Sequence, residues 1–488
     1  MSEYGVKDWK INGKKFKTPT IFPRIDTLEE YTIFNDLIKK FGLNHTAGFI
    51  TNMNRLSFVF PDIPLDSKQK QLMRKERKDN KILIIDPSLD KLLSTYEGDL
   101  QNFLKLKKYF SKSKKLFSKI DKIVEFHKLK NNLNAQKENR SEKEKKTIIQ
   151  TLAVLKNDIK ENKITARDID MGFYEELYRL QDRYFGDVLS IPSIPIAFQM
   201  NKQDIDFCLK TTTDAVNLAN TLYPESKKML ILYLKQNALL RGVKIQAGEE
   251  EKSGITSEQY PLIPKEFFDM VKEQLSEREK IWGSKLRMND FSKMNVDCIG
   301  IEITDYHIQP INEIVLVYFT SYLRELIGEK FLHFFDMDET SYALYGNGAN
   351  SYSCKVSSTP FFARGSGRRL LGKWYHPVHK LYYYLRDSSI NLKDMQKEDG
   401  YKIPCPCDVC GAYGIFTKIE EDAKEKASNL NKKEKEKQVF RELWNKYRRK
   451  HWFCYKDMES EELQRDDPRL IKEVIARSKR QDLHSFFE

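Results

Sequence analysis

No run of about 18 or more apolar residues occurs in this chain, which excludes a conventional membrane-spanning helix. The opening Met-Ser-Glu-Tyr-Gly carries no basic-then-apolar pattern, so no export signal is expected. The reading is of a soluble, cytoplasmic protein with no membrane partner. Cysteine is scarce: seven occur among 488 residues, and Cys208, Cys298 and Cys354 stand far apart. That usage excludes the disulfide framework of a small secreted domain and suits a reducing compartment. A glycine-rich dinucleotide fingerprint and internal repeats are also missing, which argues against a doubly wound nucleotide-binding sheet and a solenoid.

What the chain has instead is an excess of basic charge, 84 Lys and Arg against 71 Asp and Glu, for a net +13. Much of it is concentrated: residues 101–160 hold 17 basic and 6 acidic side chains, a net +11. One concentrated basic segment is the electrostatic footprint of a polyanion binder, and it is equally the composition of a solvated helical arm.

Along the chain, short apolar runs alternate with helical patterns. Thr18–Pro23, His45–Thr51, Lys81–Asp86, Ile194–Phe198, Met229–Leu234, Val296–Glu302, Phe331–Phe335 and Ser351–Cys354 read as strands. The clearest is Lys81-Ile-Leu-Ile-Ile-Asp86, whose unbroken aliphatic run suits a strand buried on both faces. Helices are expected over 27–41, 173–184, 204–222 and up to 327, and a Lys-rich helical insertion over 100–165. This alternation defines an α/β protein, and the number of units favours a TIM-like (β/α)8 barrel over residues 15–400.

Residues 401–488 read as a helical, zinc-binding subdomain. In Cys405-Pro-Cys407-Asp-Val-Cys410 three thiolates lie close enough to share one tetrahedral ion. His451 is the expected fourth ligand, with Cys454 as the alternative. A shell of three sulfurs and one nitrogen has no open position, so the Zn2+ is structural and the chemistry lies elsewhere.

A barrel that runs into this turn resembles the tRNA-guanine transglycosylase superfamily. Thr18-Pro-Thr-Ile-Phe-Pro23 is similar to that family's opening strand, and Asp86-Pro-Ser88 stands where the family has an Asp-Ser-Gly-Gly turn. Tyr178–Gln181 with Gly186-Asp187, Asp297–Gly300 and Gly348–Cys354 follow in the family's order. In appearance the chain is closest to the DNA 7-deazaguanine transglycosylase branch.

The resemblance implies base exchange, in which guanine in a polynucleotide, DNA foremost and tRNA as the alternative, is replaced by a 7-deazaguanine base. One carboxylate attacks C1′ and another group moves protons. Asp86 falls at the family's proton-transferring position. The family nucleophile's place is taken by Ser353, or by Ser357 in a shifted register, so Asp336 or Asp338 is the expected nucleophile. Gln199 stands where the family reads the base with an Asp, and Gly300 where its backbone approaches the base. Arg364, Arg368, Arg369 and Lys373 are the expected phosphate contacts, extended by Arg448-Arg449-Lys450. A homo- or heterodimer through the zinc region is implied as well. The Ser353 substitution keeps a second reading open, a non-catalytic subunit that binds nucleic acid or partners an active paralogue.

Overall fold

A computed structural model describes residues 7–60, 81–94, 97–137, 142–161, 163–197, 199–235, 238–239, 275, 277–304, 310–337, 344–345, 347–355, 373–376, 381–384, 422, 424–426, 428 and 433–465. Its centre is one eight-stranded parallel sheet curled into a nearly closed barrel. In chain order the strands are β1 (Thr20–Arg24), β2 (Gly48–Asn52), β3 (Ile82–Asp86), β4 (Leu189–Pro192), β5 (Lys228–Lys235), β6 (Cys298–Thr304), β7 (Phe331–Phe335) and β8 (Ser351–Lys355). Apart from β3 and β4, each pairs with its chain neighbours, and β8 returns to β1 with Ser351 opposite Thr20 and Lys355 opposite Arg24.

The seam lies between β3 and β4, joined by one bridge from Ile84 to Val188. Side chains complete it. Asp187 answers both backbone groups of Leu83: its N–H donates to the Leu83 carbonyl at 2.8 Å, and its carboxylate accepts from Leu83 N at 2.8 Å. Gln181 accepts from Ser190 N at 2.7 Å and donates to Ser190 O at 2.8 Å, as a neighbouring strand would. Tyr174 donates to the carbonyl of Pro192, a residue with no N–H to satisfy. Strand β4 therefore begins and ends earlier than the expected Ile194–Phe198. The clamp at Asp187 sets its start, and Pro192 stops it. Ile196 makes only an isolated bridge to Leu234.

Helices surround the strands. The first, α1 (Leu28–Phe41), is capped by Thr27, whose hydroxyl accepts from Glu30 N, while Glu30 accepts from Asp26 N. The basic insertion leaves the barrel after β3 and contains α2 (Lys114–Lys137) and α3 (Glu142–Glu161). The root of α2 is apolar and buried through Phe117, Ile120 and Val124, whereas Leu129, Ile149 and Val154 farther out are exposed. Glu176 of α4 (Met171–Arg183) fastens that root by accepting hydrogen bonds from Lys112 N, Ser113 N and the hydroxyls of Ser111 and Ser113. Then come α5 (Lys202–Leu222) and α6 (Pro310–Ile327).

Last is α7 (Lys433–Leu463), which packs across β1 and α1 in the place of a barrel's eighth helix. Phe453 meets Phe34, Ser460 accepts from Ile21 N, and Asp457 accepts from His45 N and Thr46 N. An Asn12-Gly13 hairpin (Lys7–Ile11 and Lys14–Thr18) covers the opposite end, with Trp9 and Phe16 against Phe331. Among the described residues no helix is long and apolar enough to cross a membrane.

Candidate active site

Parallel strands bring all their C-terminal ends to one mouth, and the chemistry of such barrels sits there. In this chain the mouth is charged. Arg24 ends β1, Asp86 ends β3, Glu302 lies near the end of β6, Asp336 follows β7 directly, and Ser353 and Lys355 close β8. Arg24 has no exposed side-chain surface and lies between two carboxylates. Its Nη2 donates to Asp86 Oδ2 at 2.6 Å. Its Nη1 meets Asp336 Oδ1 in a close ion contact that is not aligned as a hydrogen bond. Lys355 Nζ holds the other Asp336 oxygen at 3.2 Å.

Local backbone geometry sets both carboxylates. After Asp86, Pro87 leads to Ser88 in a left-handed conformation (φ 54°), and Ser88 turns back onto the aspartate. Its N–H donates to Asp86 Oδ1 at 2.8 Å and its hydroxyl to Oδ2 at 3.1 Å. Tyr233 of β5 donates to Oδ1 at 2.8 Å. Asp86 therefore accepts four hydrogen bonds. Asp336 is itself left-handed (φ 55°), a conformation aspartate tolerates better than most residues. Its N–H donates to Ser353 Oγ at 3.0 Å, so Ser353 of β8 supports the backbone of the aspartate that follows the neighbouring strand β7.

Burial works against the charges here, and partners decide them. Burial favours a neutral Asp336, but Arg24 and then Lys355 outweigh it and hold the carboxyl below the usual range. Burial also opposes the charge on Arg24, and Asp336 and Asp86 more than restore it. Glu302 differs: burial first, then the negative charges of Asp86 and Asp90, push its pKa well above the carboxylate range. Burial lifts Asp90 to about 6 and pushes the His333 imidazole down to about 3.

The mouth thus unites Asp86, Asp336 and Ser353, with Gly300 two residues below Glu302 on β6. Over Gly300 lies the Phe335 ring, whose Cε2 would stand 2.6 Å from an added Cβ. Gln199 is instead exposed in a turn after β4. His451 is buried on α7 with its ring 4.4 Å from that of Tyr455, and Cys454 is buried on the same helix. Arg449 pairs with Glu29 and Glu30 of α1, so it braces the barrel wall. Lys373 begins a short hairpin with residues 381–384. Asp338, Ser357, Arg364, Arg368, Arg369, Cys405, Cys407 and Cys410 lie outside the described residues. Among the described residues no group of three or more His, Cys, Asp or Glu is arranged to hold a metal.

Sequence reasoning missed Arg24, Glu302 and Lys355. Each is a charged residue at or near the last position of an apolar strand, the same signal that exposed Asp86. A cavity of about 350 Å³ lies at the far end, lined by Trp9, Lys227, Asp297 and Lys330, away from all of this chemistry. The chain matches no protein-family model and no curated protein sequence.

Proposed function

We propose that this protein is a base-exchange transglycosylase, replacing guanine in a polynucleotide, DNA foremost, with a 7-deazaguanine base. The observation that carries the reading is Asp336, held as a carboxylate by Arg24 and Lys355 at the barrel mouth with a second carboxylate, Asp86, across the same guanidinium. An anion fixed beside a site where an oxocarbenium-like sugar develops is the requirement for displacement at C1′ with retention. Asp336 attacks C1′, the guanine leaves, and the incoming base displaces the aspartyl ester. The target nucleotide has to be turned out of its stack to reach the mouth.

Nucleic acid is gripped by the basic arm of α2 and α3 together with Arg364, Arg368, Arg369 and Lys373, chiefly through phosphates. Cys405, Cys407, Cys410 and His451 would hold a structural Zn2+. Because His451 is buried on the helix that covers β1, such an ion would link the cysteine turn to that helix.

The test is incubation with DNA or tRNA carrying labelled guanine, plus a 7-deazaguanine base. Label is expected to be released by the wild type and not by Asp336→Asn. Binding without release, restored only by a second subunit, replaces this reading with that of a partner subunit.

A further inference from the structure

Base exchange needs a group that gives a proton to the departing base and takes one from the incoming base. Asp86 is poorly placed to do so. Arg24, Tyr233 and both donors of Ser88 occupy its two oxygens, so it is fully engaged as an acceptor. Glu302 has the opposite surroundings. It is 6% exposed, its Oε2 is buried with no partner, and it makes no hydrogen bond or ion pair among the described residues. It pairs in register with Tyr233, whose hydroxyl reaches Asp86, and on its other side with Phe335, the residue before Asp336. The charged groups facing it are Asp86 and Asp90, which oppose its ionisation, and Arg24 and Lys91, which favour it. Arg24 is already committed to Asp86 and Asp336. Burial, an unpartnered oxygen and anionic neighbours all favour the protonated form of this carboxyl.

We propose that Glu302 is the proton carrier of the exchange, and that Asp86 is a positioning residue that holds Arg24. This rests on the transglycosylase reading above. In the first half-reaction Asp336 bonds to C1′ and the C1′–N9 electron pair goes to the base. The Glu302 proton passes to N7, so guanine leaves neutral and Glu302 is left as a carboxylate. In the second, that carboxylate takes the N9 proton of the 7-deazaguanine. N9 bonds to C1′, the ester bond to Asp336 breaks, and both side chains return to their starting states. One carboxyl thus serves as acid and then as base, which a pKa raised above the ordinary carboxylate range allows.

The experiment reads the first half-reaction alone, in single turnover without incoming base, as formation of the glycosyl-enzyme adduct. Two oligonucleotides are compared, one with guanine at the target and one with 7-methylguanine, which is already cationic and leaves without a proton. Glu302→Gln is expected to slow adduct formation from guanine by about 10²–10⁴-fold and from 7-methylguanine by less than about tenfold. Asp336→Asn is expected to lose both. Equal losses on the two substrates, or none, overturn the proton-carrier role while leaving the transglycosylase reading standing. A wild type that forms adduct with neither substrate overturns both. An independent readout needs no activity: at neutral pH the wild type is expected to show an infrared carbonyl band of a protonated carboxyl that Glu302→Gln lacks. Absence of that band overturns the proposal. Should Glu302→Gln not fold, Glu302→Asp, which withdraws the acid by one methylene, supplies the substrate comparison.

Discussion

Arg24 is the residue on which the mouth depends. Its guanidinium is fully buried and serves Asp86 and Asp336 at once, so removing it leaves two anions in a desolvated site. Breaking a buried ion pair from one side costs about 3–5 kcal/mol, because the remaining charge has no compensation. Arg24→Met is therefore expected to lower unfolding free energy by that amount in urea titrations, and Arg24→Met with Asp86→Asn to recover part of it. A second residue-scale expectation concerns pH. His333 is buried between Phe22 and Phe335, shares a hydrogen bond with Ser351, and has its imidazole pushed down to about 3. The folded state refuses a proton that the unfolded chain accepts below about 6.5. Its contribution is thus present above that pH and is lost as pH falls toward 3. His333→Gln is expected to flatten stability against pH between about 6 and 4 in thermal melts. Only part of this was legible in the sequence. Asp86 announced itself by ending an aliphatic run, but the value of Arg24 depends on Asp86 and Asp336, 62 and 312 positions away, and no local pattern encodes such distances.

Among the elements, strands with unbroken apolar runs were readable almost to the residue. Phe331–Phe335 matches in full and β3 differs by one position, because burial on both faces leaves one dominant signal. Strand β4 departs from the expected Ile194–Phe198 because half of its edge is made by side chains. Asp187 and Gln181 act as a surrogate strand, and a period-two pattern contains no trace of them. Asn12-Gly13 carries a legible signal of its own: both residues have positive φ, the geometry of a two-residue hairpin turn, and the dipeptide is its strongest sequence marker. The seam makes its own prediction. Gln181→Ala leaves the N–H and C=O of Ser190 buried without their partners, at a cost of about 2 kcal/mol or more. Hydrogen exchange is expected to show the Ser190 amide deprotected in that variant, with β6 to β8 unchanged.

For the molecule as a whole, charge and chemistry are divided between two regions. The barrel mouth holds a compact set of paired charges, whereas the arm of α2 and α3 displays exposed Lys114, Lys115, Lys122 and Lys128 on a hairpin clamped at its root. If the arm follows phosphates, affinity for DNA falls linearly on a log–log salt plot, with a slope of about 0.9 for each phosphate neutralised. Reversing those four lysines to glutamate is expected to make that slope shallower while leaving single-turnover chemistry at saturating DNA unchanged. The fold class was legible because strand–helix alternation over a long chain leaves few architectures. The site was less so, since its function rests on which carboxylate each cation holds.

Mapping the covalent intermediate tests the central claim most directly. The protein is mixed with guanine-containing DNA in the absence of incoming base, denatured, digested and sequenced by mass spectrometry for a peptide carrying an abasic deoxyribose phosphate linked through C1′. The adduct is expected on Asp336 alone and to be missing from Asp336→Asn. An adduct on Asp86 or Ser353, or none under conditions where guanine is released, contradicts it.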